Sequence, residues 1–74
     1  MMDSMKQVCD KAVYEADIAR VEIANVCSIL KFQERRLEGE SRRTAVAQRE
    51  VLDDAEEALS RAIYFINQAK TIGV

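Results

Sequence analysis

Residues 35–44 read RRLEGESRRT, with the arginine pairs Arg35-Arg36 and Arg42-Arg43 on either side of Gly39. This is the only place in the interior of the chain where a long helix is invited to stop. Glycine reaches the left-handed backbone region at little steric cost and so ends helices cheaply. The sequence has no proline, and the other of its two glycines is Gly73. The reading of these ten residues therefore decides the fold. Two long segments meet at a corner, spanning about 39–41, and the second segment is capped by Ser41.

Upstream, Ser4 and Gln7 have capping-box spacing, in which a hydroxyl accepts from an early amide and the later side chain reaches back. The first helix is expected over about 4–38. Its last turns hold Lys31, Arg35 and Arg36, where cations suit the negative end of the helix dipole. The second helix is expected over about 42–71, closed by Gly73. It places Arg42 and Arg43 in its first turn, which the dipole disfavours.

Along the first helix, Met5, Cys9, Ala12, Ala16, Ala19, Ile23, Val26 and Leu30 alternate steps of four and three. That is the spacing of a helix packed lengthwise on another, and its alanines permit close approach. Roughly opposite lie the larger Tyr14, Ile18, Val21, Ile29 and Phe32, interrupted by Asn25. Along the second helix, Leu52, Ala55, Leu59, Ala62, Ile66 and Ala69 form one arc, widened by Val51, Ala58 and Phe65 on one flank and Ile63 on the other. Arg49, Glu50, Asp53, Glu56, Glu57, Ser60, Arg61, Asn67 and Gln68 make up its back, expected to be solvated.

Similar lengths and a short connection predict an all-α, coiled-coil-like antiparallel two-helix hairpin, a single domain over 1–74. The alanine seam is expected to meet the arc of the second helix, although the two faces of the first helix could exchange roles. In either case one apolar face is left over. Fully burying a large apolar side chain is worth about 1.5–3 kcal/mol, and a chain of 74 residues has little stability to forgo. The surplus face, taken as Tyr14, Ile18, Val21, Ile29 and Phe32, calls for completion by another protein or by a second copy.

Composition removes other classes of function. There is no histidine, so no His-based triad and no His-ligated metal. No serine or cysteine has an activating base, and no glycine-rich loop cradles a phosphate. The acidic run around Asp53, Asp54, Glu56 and Glu57 reads as a solubilising face. We expect neither catalysis nor a metal or cofactor. Cys9 and Cys27, eighteen residues apart on one helix, are about 27 Å from each other at 1.5 Å per residue. They cannot form a disulfide together and read as small buried thiols of a reducing compartment. Short apolar runs point to neither a membrane span nor a signal peptide, and the expected location is cytoplasmic.

Residues 31–50 carry six basic and four acidic side chains in a chain of net charge −2. Helix ends tied by salt bridges account for such a tip. The alternative is a homodimeric helical-bundle regulator binding nucleic acid through Arg35, Arg36, Arg42 and Arg43. The interspersed glutamates and the lack of an aromatic residue between Phe32 and Tyr64 weigh against it.

The stretch AVAQREVLDDAEEALSRAIYFINQ (45–68) resembles the second helix of the small co-chaperones of type III secretion needle subunits. The likeness rests on Ala58-Leu59, Ala62-Ile63 and Ile66. It implies a helical hairpin that pairs with a larger helical-repeat chaperone in the bacterial cytoplasm. Together the two would keep a polymerising needle subunit monomeric until export.

Overall fold

A computed structural model describes residues 4–72 and shows two helices, α1 (Met5–Glu34) and α2 (Gly39–Thr71), packed side by side as an antiparallel hairpin. The body is 55 Å long and measures 19 × 13 Å across. Helix α1 opens as its sequence dictates. The Ser4 hydroxyl accepts from the Gln7 amide at 3.2 Å, and the Ser4 amide donates to Gln7 Oε1 at 3.0 Å, which together complete a capping box.

The corner differs from the expected one. Helix α1 ends at Glu34 rather than near residue 38, and the connection is 35–38 rather than 39–41. The amides of Arg36 and Leu37 both donate to the Gln33 carbonyl, at 2.9 and 3.1 Å, and turn the chain early. At this end of α1 the Glu34 carboxylate is held by Arg49 of α2 at 3.1 Å, which ties the two helices together beside the corner. Gly39 does take the left-handed conformation, with φ +62°, but it opens α2 instead of closing α1. Glu38 is the N-cap residue of α2 and makes no side-chain capping bond. Ser41 is therefore not the cap, and Arg42 and Arg43 lie in the second turn, away from the strongest field of the dipole. Gly73 falls outside the described residues.

The helices also pack on faces rotated from the expected ones. The most enclosed series on α1 runs through Cys9, Val13, Ala16, Arg20, Ile23, Cys27, Leu30 and Glu34, and on α2 through Ala45, Arg49, Leu52, Glu56, Leu59, Ile63, Ile66 and Lys70. Both step by four and three, the spacing of lengthwise packing. The expected seam of α1 is thus right at Cys9, Ala16, Ile23 and Leu30. It fails at Met5 and Val26, both exposed, and Cys27 takes the inner place next to Val26. On α2, Val51, Ala58 and Phe65 face outward, whereas Arg49, Asp53, Glu56 and Ser60, expected on the solvated back, are half-buried toward α1.

Charge pairing explains the rotation. Turning the two helices toward their polar edges lets Arg49, which also pairs with Asp53 one turn further along α2 at 3.2 Å, reach Glu34 of α1. It also brings Lys70 to Asp10 at 2.7 Å and Arg20 to the Ser60 hydroxyl at 3.5 Å. Among the described residues only Cys9, Cys27 and Ala45 are buried.

Candidate partner interface

Tyr14, Ile18, Val21, Ile29 and Phe32 form a ridge along the outer side of α1, with 41–67% of each residue's surface exposed. They project outward because Ala16, Ile23 and Cys27 of α1 point toward α2, half a turn away. A helix fixes their spacing, so the ridge is a rigid strip that needs no folding to be presented. Phe32 ends it at the tip, where the Arg36 guanidinium stacks on the ring 4.4 Å from its centroid. One edge of the basic tip and the end of the ridge are thereby a single surface.

Arg35, Arg36, Arg42 and Arg43 are all exposed at that tip. None of the four is in an ion pair among the described residues. The expected salt bridge between the helix ends is present, but it is Glu34–Arg49 and involves none of these four arginines. Glu34, the carboxylate nearest to the first pair in sequence, is taken by Arg49, which removes it from the arginines.

Sequence reasoning missed the polar strip between the helices. Its carboxylates include Glu34 and Asp53, both bound to Arg49. Hydrogen bonding to Glu34 raises the pKa of the Arg49 guanidinium further, against a smaller opposing effect of burial. The Cys27 sulfur and carboxylate oxygens of Asp53 and Glu56 all lie within 4.8 Å of one another. Burial is the main cause of an upward shift of the Cys27 thiol, and the hydrogen bond to Asp53 adds to it. The thiol is thereby held protonated beside a carboxylate, which suits packing and not nucleophilic attack. A signal for this strip does exist in the sequence. Partner positions across the hairpin, 10 with 70, 20 with 60 and 34 with 49, carry complementary groups and have numbers adding to between 80 and 83.

A second exposed apolar area runs along one flat side of the hairpin. Val26 and Leu30 of α1 line an open groove with Ala47, Gln48, Val51 and Leu52 of α2. Ala58 and Phe65 continue the Val51 row at steps of seven, and both are exposed. Ala12 and Ala19 precede Val26 on α1 at the same steps. None of the described helices is long and apolar enough to cross a membrane. Compared with known protein families, curated proteins and solved structures, the chain matches none.

Proposed function

We propose that the hairpin is a protein-interaction module that works as a co-chaperone. On this reading it docks its α1 ridge on a larger helical-repeat chaperone and helps to hold a type III secretion needle subunit monomeric in the cytoplasm. One observation carries the interaction reading: five large apolar side chains stand exposed on a preformed helix face. The hairpin plan and the Ala58-Leu59, Ala62-Ile63 and Ile66 pattern support the finer reading. In that pattern Leu59, Ile63 and Ile66 are turned toward α1, so they serve the hairpin and leave the ridge to a partner.

The test is affinity purification from the natural host, comparing the native chain with Ile18→Asp/Phe32→Asp. Recovery of a helical-repeat protein together with a polymerising subunit, lost in the double variant, is the expected result. Equal recovery with both chains would sink the ridge as the contact.

A second reading is favoured by the four unpaired arginines at the tip, which are free to bind phosphates. Nucleic-acid binding through them would fall steeply with salt and be lost in Arg42→Glu/Arg43→Glu, whereas apolar docking barely responds to salt.

A further inference from the structure

We infer that the flat side of the hairpin marked by Val26, Val51, Ala58 and Phe65 seats a second copy of the chain, with the two tips at opposite ends of a four-helix bundle. The inference concerns a different surface from the α1 ridge and does not depend on what the ridge binds.

The first argument is area. The chain exposes 5981 Å². A compact folded body of 8.4 kDa exposes about 4,600 Å² by the usual scaling. The excess, about 1,400 Å², is surface that a self-sufficient fold would have buried. One broad side of a body 55 × 19 Å offers about 1,000 Å². A standard interface takes about 800 Å² from each partner. The flat side is therefore large enough for a stable dimer and accounts for most of the excess. The remainder is of the size the ridge would contribute.

The second argument is shape. Both helices contribute to this side, so it is a two-helix layer that a rotated copy of itself can cover isologously. Its two rows are together half alanine, with Ala12 and Ala19 leading to Val26 and Ala58 between Val51 and Phe65. Small residues let helices approach closely, and Phe65, 60% exposed, and Val51, 68% exposed, supply the bulk to fill a shared core. The ridge lies about a quarter turn or more further round α1 and stays outside such a bundle.

Charge sets the orientation. Residues 31–50 at the tip carry a surplus of two positive charges. The middle of the hairpin (18–30 with 51–62) carries two basic and five acidic residues, and the open end (4–17 with 63–72) carries three of each. Docking with tips together stacks two +2 ends, each with unpaired arginines. Docking with tips opposed sets each basic tip beside a neutral open end, the arrangement without like-charge repulsion at the ends.

The experiment uses the full chain. Mass is measured by light scattering across the micromolar range for the native protein, for Val51→Glu/Phe65→Glu and for Ile18→Asp/Phe32→Asp. Separately, a spin label on Ser41→Cys reports the distance between tips. Cys9 and Cys27 are buried and do not compete for the label. The expected results are a native dimer, a monomer when the flat side is charged, and a dimer when the ridge is charged. The label separation should approach the 55 Å length of the body. Tips docked together would give about 20 Å, two helix spacings. A native monomer at every concentration overturns the inference. So does a short label distance, and so does a dimer lost through the ridge pair but kept through the flat-side pair. If the flat-side variant loses its helicity, the label distance in the native surface decides.

Discussion

Gly39 offers the sharpest test of the corner on which the hairpin depends. Its φ is +62°, and a Cβ built there meets nothing within 4 Å. A side chain at this position therefore costs backbone energy alone, with no clash to confuse the reading. The left-handed region costs an L-residue about 1–2 kcal/mol. Part of this is offset because alanine also restricts the unfolded chain, an effect of about 0.4–1 kcal/mol. The net expectation for Gly39→Ala is a loss of about 1 kcal/mol. For a domain of this size that corresponds to a fall in melting temperature of about 4–8 °C. A D-alanine at the same position, accessible by chemical synthesis of so short a chain, favours positive φ by mirror symmetry. It should raise the melting temperature, since only the entropic gain remains. Both are followed by circular dichroism during thermal melts at one fixed protein concentration, because association shifts the midpoint. If the L and D forms move the midpoint in the same direction, the left-handed corner is not what positions α2.

Four further outcomes follow from the same geometry. Ile18→Asp/Phe32→Asp alters half-exposed side chains outside the helix–helix seam, so the hairpin's own stability should fall by only about 1 kcal/mol per site in urea titration, even as partner capture is lost. Arg49→Met should lower the urea midpoint by leaving Glu34 enclosed without its cation, while Glu34→Leu/Arg49→Leu should recover most of the loss. Cys27 should react with iodoacetamide at pH 8 far more slowly than an exposed thiol, and Asp53→Asn should speed it, because the carboxylate helps to hold the proton on sulfur. The same thiol makes stability fall as pH rises past its ordinary value near 8.5: there the unfolded chain releases a proton that the folded chain retains, so high pH favours unfolding.

The outline of the hairpin was legible in the sequence because its signals are local. Ser4 and Gln7 form a cap from neighbouring atoms, and Gly39 marks a conformation that only one residue type adopts freely. The place where α1 stops was not legible, since residues 35–38 contain no helix breaker and the turn there is made by ordinary backbone amides, those of Arg36 and Leu37, on the Gln33 carbonyl. Helix rotation was misjudged for a related reason. Apolar periodicity ranks Val51, Ala58 and Phe65 ahead of Arg49, Glu56 and Ser60 for the inside, which holds when hydrophobic burial is the only force counted. It ignores that opposed charges at matched heights can hold two helices by their polar edges. The outward ridge of Tyr14, Ile18, Val21, Ile29 and Phe32 was readable as a stripe, though its side could be assigned only once α2 was in place.

A polar seam inside and apolar rows outside together imply a division of labour. Charged pairs add little net stability when half exposed, because solvation lost on pairing offsets the attraction. They are, however, intolerant of misalignment. Sliding α2 by one heptad so that Glu56 replaces Arg49 opposite Glu34 would set two carboxylates against each other. Alanines and valines, by contrast, would pack nearly as well in several registers. The seam therefore fixes how the two helices align, and it leaves the larger side chains available elsewhere. Those side chains stay exposed in the hairpin itself, so the free energy of burying them is not gained within it. If a partner or a second copy covers these rows as proposed, the stability of the hairpin should rise with the concentration of that molecule, while charging the rows should leave the Glu34–Arg49 and Asp10–Lys70 pairs of the seam in place.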